Sequence, residues 1–305
     1  MSWPLPGGDT RRSRVQIPAG PPQTLQRGSY PNIIASTLQG ITLGGRLLPG
    51  HFEQIGVSGE KGVLLVRGVP AVYIEHDDSF VISDIHLGYE EVMAGTGVYL
   101  PRLQLRKTIG LLERLATLKP GSRLVINGDL KHCFQKLTRQ ERIEIAKLVR
   151  KALELGFREV IVVRGNHDNY AKAVLAPLGI EMLEEAYDAG KGVLVAHGHK
   201  KIEEDFELLV MGHEHPALQV SVGGGRAKFP LFLEMPLENG SHVLILPPAG
   251  VYQVGNIVST DRSAYLSPII RESGIPEEAL PVVIDSDGDM MPLVSLGLVE
   301  ELMLS

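Results

Sequence analysis

Apolar residues recur along the chain with two different spacings, which predict strands and helices in alternation. Short apolar runs bounded by polar or glycine residues are typical of buried strands. Such runs lie at residues 62–66, 71–75, 79–83, 123–127, 159–163, 192–196 and 208–211. Further runs at 219–222, 231–234 and 242–246 indicate that the C-terminal third is rich in strands.

Helical spacing appears between these runs. Residues 103–118 carry apolar side chains three or four positions apart, which predicts a helix. A second helix is predicted over residues 138–155, because Thr138 and Glu141 form a capping-box pattern and Gly156 follows its end. A short helix is predicted over residues 169–176, before Pro177. Strands and helices in alternation favour an α/β core with a mixed sheet.

The first part of the chain has a different pattern. Residues 1–45 contain six prolines among glycine, serine and arginine, with no apolar period. This composition predicts a disordered leader, followed by a single domain over residues 46–305 with a strand-rich C-terminal part.

Composition narrows the classes of protein that the chain can represent. A net charge of -6 and a pI near 5.9 provide no overall attraction to nucleic acid or to an anionic membrane, although a local basic patch stays possible. The single cysteine, Cys133, excludes an internal disulfide and a cysteine-based zinc site, and it favours a reducing, cytoplasmic location. No apolar run approaches the ~18 residues that span a membrane, so we expect no membrane partner.

Potential metal ligands follow five of the predicted strands. Each group comes directly after an apolar run, and together the groups hold seven of the ten histidines. In chain order they are Asp84 with His86, Asp129 with His132, Asn166 with His167 and Asp168, His197 with His199, and His213 with His215. The carboxyl ends of parallel strands meet at one edge of a sheet, so these side chains are predicted to converge.

The residue types suit a pair of divalent cations. Carboxylate, imidazole and amide oxygen are suitable ligands for manganese, iron or zinc. An aspartate such as Asp129 has two oxygens and can bridge two ions, while the Asn166 amide adds a ligand without charge. Two cations about 3.5–4 Å apart can activate a water and hold both the attacking and leaving oxygens of a phosphate ester.

Each motif also has an ordinary structural interpretation. An Asp-x-His pair occurs often by chance, Asn-His-Asp suits a turn, and His-x-His pairs can lie on the surface. The five groups occur in order after five strands, and that combination favours the metal centre over the structural interpretation.

The same residues resemble the motif set of calcineurin-like metallophosphoesterases. The set covers residues 80–216, and the segments around Asp84 and Asp129 are similar to archaeal phosphoesterases related to SbcD-type repair nucleases. This resemblance implies a four-layer α/β/β/α sandwich with mixed sheets. It also implies two divalent metal ions, with manganese favoured and iron, zinc, nickel or cobalt as alternatives.

The resemblance further assigns a role to each position. The first metal would be held by Asp84, His86, Asp129 and His215. The second would be held by Asp129, Asn166, His197 and His213. His167 would be the general acid or would stabilise the transition state, Asp168 would orient it, and His132 would face the substrate. In the His197-Gly198-His199 segment either histidine can be the ligand; the family pattern favours His197 and leaves His199 for the second shell or the substrate.

The expected reaction is in-line attack on phosphorus by a metal-bridging hydroxide. The substrate would be a phosphodiester, as in a DNA or RNA nuclease, and basic residues at 102–119 could follow a nucleic-acid backbone or simply be solvated. A small-molecule phosphatase or nucleotide phosphodiesterase is the alternative, which the negative overall charge favours. A non-catalytic interaction module ranks last, because every ligand position is filled. Arg164 and Lys131 could contact phosphate or be solvated surface charges.

Overall fold

Two β-sheets stack face to face between outer layers of helices in the computed structural model of this protein. The structure describes residues 50–222, 225–285 and 287–304. The leader predicted for residues 1–45 lies outside the described residues.

The first sheet contains seven strands that are arranged in chain order. Neighbours from β1 to β4 are antiparallel, whereas β4 to β7 are parallel. The strands are β1 (Phe52–Glu53), β2 (Val63–Val66), β3 (Val72–Ile74), β4 (Ser79–Ile82), β5 (Arg123–Asn127), β6 (Glu159–Val163) and β7 (Glu181–Leu183).

The second sheet is formed by the C-terminal half of the chain. Its strands are β8 (Ala186–Gly190), β9 (Val193–Ala196), β10 (Leu208–Met211), β11 (Pro216–Val222), β12 (Gly225–Pro236), β13 (His242–Ile245), β14 (Asn256–Ile257), β15 (Leu280–Ile284) and β16 (Met290–Pro292). The main path runs β14-β11-β12-β13-β10-β9-β8, and β15 pairs with β12 and β16. At its centre, β9, β10 and β13 are parallel.

Seven helices accompany the sheets in the described residues. They are α1 (Gly56–Glu60), α2 (Tyr89–Gly95), α3 (Gln104–Leu118), α4 (Arg139–Glu154), α5 (Lys172–Leu175), α6 (Pro268–Ser273) and α7 (Leu296–Leu304). None of the helices in the described part of the chain has the length and apolar character needed to cross a membrane.

Three apolar cores define the layers. One lies between the sheets and includes Val81 and Val125 from the first sheet with Val210 from the second. The outer face of the first sheet packs against α3 and α4, and that of the second packs against α6 and α7. Valine and isoleucine fill the strands on both faces because both faces are covered. The predicted α/β/β/α sandwich with mixed sheets is confirmed.

Most of the predicted elements form, with one clear exception. The strands at 123–127, 159–163 and 208–211 have the predicted bounds, and the Thr138 capping box is present at the start of α4. The short helix predicted over 169–176 forms only in part: Lys172–Leu175 is α-helical, and a 3₁₀ turn follows at Ala176–Leu178. Tyr170 has a φ of 70°, a left-handed conformation that a right-handed helix cannot include.

The carboxyl ends of the parallel strands of both sheets meet at one edge of the sandwich. Asn127, the last residue of β5, donates from Nδ2 to the carbonyls of Ala196 and Val210 at 3.1 and 3.2 Å. These carbonyls lie at the ends of β9 and β10 in the other sheet, so a buried amide joins the two sheets beneath the ligand loops.

Candidate metal centre

Strained loops carry the predicted ligands at this edge. Eight non-glycine residues in the described chain have a positive φ, and five of them are predicted metal ligands. These are Asp84, His86, Asp129, His213 and His215, with φ between 48° and 67°. Such backbone conformations cluster at functional sites, where the surrounding structure holds them in place.

Glycines permit the close approach of these loops. A Cβ at Gly128 would overlap the ring of His197, and one at Gly212 would overlap Ser83 Oγ and the Asp84 carboxylate. Gly128 also has a φ of 78°. The glycines of the ligand motifs are therefore required by the packing of one loop against the next.

The first group of donors contains Asp84, His86 and His215. One donor atom from each residue lies within 4.8 Å of the others. Asp84 Oδ1 is 3.0 Å from His215 Nε2, and Asp129 Oδ2 is 3.7 Å from His86 Nε2. Three of these four side chains are buried, and His215 is partly exposed at the mouth of the centre.

A second group lies on the other side of Asp129. Asp84, Asp129 and His197 again offer donor atoms within 4.8 Å of one another. Asp129 Oδ1 is 3.4 Å from His197 Nε2, and Asn166 Oδ1 is 3.3 Å from the same nitrogen. The two carboxylate oxygens of Asp129 thus face two different histidines, as a bridging ligand requires.

His213 lies at the edge of this second group. Its ring centroid is 5.1 Å from that of His197, and its backbone N–H donates to Asp84 Oδ2 at 3.1 Å. The structure therefore brings all seven predicted metal ligands to one place.

The carboxylates and imidazoles of the centre shift one another's pKa values. Burial raises the pKa of Asp84 and of Asp129, but neighbouring histidines outweigh burial and hold each pKa below its usual value. Burial lowers the pKa of His197, yet Asp129 and Asp84 raise it to about 9. Burial lowers the pKa of His86 to about 3, so this ring is neutral and keeps a lone pair for a ligand.

This donor set fits divalent cations. The buried His86 Nε2 has no hydrogen-bond partner. Its other nitrogen, Nδ1, is 3.3 Å from His132 Nδ1, so the pair can fix the tautomer that leaves Nε2 as a lone-pair donor. Buried carboxylates, an amide and imidazoles without thiolates suit manganese, iron or zinc.

His167 lies beside the centre with a defined ring orientation. Its Nδ1 donates to the His132 carbonyl at 2.5 Å, and its Nε2 lies 3.9 Å from Asp129 Oδ2. Its ring stacks on that of His132, with centroids 5.6 Å apart and planes 17° apart. Burial first, and then the proximity of His167, lower the pKa of His132 to about 4.

Asp168 occupies a different place from the one the resemblance implies. Its buried carboxylate accepts the backbone N–H groups of Gly165 and Lys131 at 2.8 and 3.3 Å. The ring of His167 is oriented by a backbone carbonyl instead. Asp168 therefore joins the loop after β6 to the loop after β5.

Three further residues of the predicted site, Lys131, Arg164 and His199, lie in three different environments. Lys131 is fully buried, and its ammonium group donates to the carbonyls of Cys133 and Lys136, so it is neither a surface charge nor a phosphate contact. Arg164 pairs with Glu184 at 2.5 Å. His199 lines a cavity of 160 Å³ beside His197, with its ring centroid 5.3 Å from that of His197.

Two of the basic residues of 102–119 have partners outside the metal centre. Arg114, far along α3, donates to the carbonyls of Arg67 and Gly68, and Lys119 lies over the Tyr73 ring. The first turn of α3 approaches the metal centre, where Gln104 donates to the Ile85 carbonyl.

Several residues of the site were not among the predicted site residues. Ser83 donates to Asp84 Oδ2 at 2.7 Å, and Glu214 accepts the backbone N–H groups of Leu266 and Ser267 at 2.5–3.0 Å. Glu214 lies between two predicted ligands, so position alone could have singled it out. The aromatic residues Phe134 and Tyr252 border the centre outside any motif, whereas Tyr89 belongs to the segment around Asp84 that carries the resemblance.

Comparison with known proteins agrees with this geometry. Residues 80–222 match the model of the calcineurin-like phosphoesterase family. The matched segment contains every one of the predicted ligands, and it indicates a hydrolase that acts on phosphoester bonds. No curated protein sequence matches the chain.

Solved structures match the chain at low sequence identity, and the nuclease MPE structure, with a TM-score above 0.5, shows the same fold. Pseudomonas putida nuclease MPE is 18% identical, with a TM-score of 0.56 over 79% of this chain and 100% of that chain. A Vps29 single mutant from Entamoeba histolytica is 16% identical, with a TM-score of 0.29 over 70% of this chain and 96% of that chain. The protein AQ665 from Aquifex aeolicus is 18% identical, with a TM-score of 0.30 over 44% of this chain and 77% of that chain.

Proposed function

For a chain that carries a calcineurin-like phosphoesterase domain, we propose a two-metal phosphodiesterase activity, with DNA or RNA as the substrate class. The position of Asp129 carries this proposal. One of its oxygens faces His86 at 3.7 Å and the other faces His197 at 3.4 Å, so one carboxylate lies between two donor groups. Manganese suits this oxygen and imidazole set.

The residues of the chain have separate roles in the proposed reaction. When bound, two cations would activate a water and neutralise the phosphate oxygens. Asp84, His86 and His215 would hold one cation, Asn166, His197 and His213 would hold the other, and Asp129 would hold both. The buried Asp84 and Asp129 supply the negative charge that retains cations there.

His167 would act on the leaving group. Because Nδ1 donates to the His132 carbonyl, Nε2 is the nitrogen directed toward the centre. In the protonated ring, Nε2–H can donate to the departing oxygen. His132, neutral and stacked on His167, would keep this ring in place and face the substrate.

A diester is favoured over a monoester by the surrounding charge. A phosphate monoester carries a second negative charge, which a cationic side chain commonly neutralises. Arg164 and Lys131, two of the cationic side chains beside the ligand loops, are held by Glu184 and by backbone carbonyls, whereas Lys200 lines the cavity beside His197. We also propose a cytoplasmic location, which cell fractionation would test.

A substrate panel with the manganese-loaded protein tests the proposal. We expect hydrolysis of bis(p-nitrophenyl) phosphate and of a single-stranded oligonucleotide, with much slower hydrolysis of p-nitrophenyl phosphate. The reverse order would favour the small-molecule phosphatase. No turnover of any ester would favour a non-catalytic module.

The role of His167 can be tested by the choice of leaving group. His167→Asn should lower kcat for an oligonucleotide by about 10²–10⁴-fold, because a sugar alkoxide needs a proton as it leaves. The same variant should affect bis(p-nitrophenyl) phosphate much less, since p-nitrophenolate leaves without one. The exposed His51 offers a control, and His51→Asn should leave both rates unchanged. Equal losses on both substrates would remove His167 as the general acid.

A further inference from the structure

A continuous row of aromatic rings extends from the metal centre to the surface. Tyr252 stacks on Tyr89, with ring centroids 5.3 Å apart and planes 13° apart. Tyr89 lies 4.6 Å from His132, which stacks on His167. Phe134 meets the edge of His167 at 5.8 Å and 88°. We call Tyr252, Tyr89, His132, His167 and Phe134 the ring row.

The ring row is not explained by core packing. Tyr89, Phe134 and Tyr252 belong to none of the three apolar cores, and Phe134 is 53% exposed. Val251 and Val254, beside Tyr252, are 43% and 73% exposed. Aromatic and apolar surface therefore borders a highly polar centre, which is the composition of a ligand-binding surface.

One end of the ring row, Tyr252, is fixed to a ligand loop. Tyr252 lies in the 246–255 loop, which follows β13. In this loop the N–H groups of Ala249 and Gly250 donate to the carbonyls of Ser83 and Asp84 at 2.8 and 3.0 Å. The Tyr252 hydroxyl donates to the Pro101 carbonyl. The Tyr252 ring is thus held at a set distance from the proposed ligands rather than on a free loop.

We propose that the ring row is a stacking surface for the bases of a single-stranded nucleic acid. This inference rests on the proposed phosphodiesterase function and names its substrate class. Tyr252, supported by Tyr89, at one end and Phe134 at the other would each receive a base, and the phosphate between them would lie at the metal centre.

Stacking would also allow a chain with a net charge of -6 to bind a nucleic acid. Such a charge provides no overall attraction to a polyanion, and Arg114 and Lys119 of this region have partners outside the metal centre. Every base has an aromatic face, so stacking supplies affinity without a basic groove. A single strand fits because its bases can leave their neighbours, whereas the bases of a duplex are already stacked and paired.

The test is a binding titration of metal-free protein, which needs no activity. The probes are a fluorescein-labelled oligothymidylate of about eight nucleotides and an abasic oligomer of the same length, followed by fluorescence anisotropy. We expect wild-type protein to bind the oligothymidylate more tightly than the abasic oligomer. Tyr89→Leu, Tyr252→Leu and Phe134→Leu should each weaken oligothymidylate binding by about five-fold or more, with little change for the abasic oligomer.

Tyr89→Phe is the matched control, because it keeps the ring and removes only the hydroxyl group. We expect it to bind as the wild type does. The inference is overturned if leucine and phenylalanine variants bind equally, or if the abasic oligomer binds as tightly as the oligothymidylate. Equal affinity for a duplex of the same length, or for thymidine monophosphate, would overturn the single-strand assignment.

A failure of the stacking surface can be distinguished from a failure of the proposed function. Hydrolysis of bis(p-nitrophenyl) phosphate by manganese-loaded wild-type protein tests the metal centre alone. Turnover of that ester without base-dependent binding would reject only the stacking surface. Base-dependent binding without turnover of any ester would reject the proposed catalysis and keep the binding surface.

Discussion

At the scale of single residues, the centre depends on conformations and contacts that few residue types allow. Asp84, His86, Asp129, His213 and His215 all have a left-handed backbone. Aspartate and histidine tolerate this region better than most side chains do, but each still costs free energy of folding. The adjacent glycines allow these strained loops to pack closely. This packing brings the proposed metal-ligand atoms together.

Gly212 provides a direct test of this close packing. A Cβ there would overlap Ser83 Oγ and the Asp84 carboxylate, so Gly212→Ala should lower the free energy of unfolding by about 1–3 kcal/mol. Gly110 in α3 is the matched control, because a Cβ there has no neighbour within 4 Å. Gly110→Ala should raise the free energy of unfolding by about 0.5–1 kcal/mol. Urea denaturation of both variants checks this, and equal effects would contradict it.

Glu144 predicts a pH dependence of stability. Burial, and then the neighbouring Glu90, raise the pKa of Glu144 above its ordinary value of 4.5. As pH rises through 4.5, the unfolded state ionises while the folded state resists, so this side chain lowers stability above that pH. Below pH 4.5 both states are protonated and the effect disappears.

Glu144→Gln should therefore become more stable relative to the wild type as pH rises from 4 to 7. Chemical denaturation at several pH values measures this difference. The exposed Glu154→Gln on the same helix should show no such trend. If the stability of Glu144→Gln relative to the wild type did not change with pH, Glu144 would have the same pKa in the folded and unfolded states, which would contradict the prediction.

At the scale of elements, sequence patterns predicted the strands and helices that carry strong local signals. β5, β6 and β10 each contain an apolar run of three or four residues, and α4 begins with the Thr138 and Glu141 capping box. β7 and β8 were missed because Glu181–Leu183 and Ala186–Gly190 are short and have no apolar period. The helix predicted over 169–176 starts only at Lys172 because Tyr170 is left-handed, which no pattern indicates.

Gln104 connects three elements at the start of α3. Its buried side chain donates to the carbonyl of Ile85, the residue between Asp84 and His86 in the sequence. The same side chain accepts the N–H of Val251 at 3.2 Å. Gln104→Leu leaves both backbone groups without partners, so it should lower the free energy of unfolding by about 2–4 kcal/mol. Faster hydrogen exchange at the Val251 amide should accompany this loss.

The exposed Gln135 is the control for Gln104. Gln135→Leu should change stability by less than about 0.5 kcal/mol, because the side chain is on the surface. Thermal or urea denaturation compares the two variants. Similar small effects of both would mean that Gln104 does not join α3 to the 246–255 loop.

At the scale of the whole molecule, two sheets supply one site. The sequence predicted the ligands because each follows an apolar strand, but it did not predict which strands pair or that Asn127 joins the sheets. Tyr252 lies more than 100 residues after Tyr89 in the sequence, in a loop without a motif, so only the fold brings their rings together. The C-terminal third both completes the second sheet and borders the site.

The central claim is that two cations bind on either side of Asp129. Isothermal titration of metal-free protein with Mn²⁺ tests it most directly, with the exposed Glu181→Gln as a control for the loss of one negative charge. We predict two ions per chain for wild type and Glu181→Gln, and for Asp129→Asn at least about 100-fold weaker binding of one or both. A single ion per chain in the wild type, or two tightly bound ions in Asp129→Asn, would contradict the account.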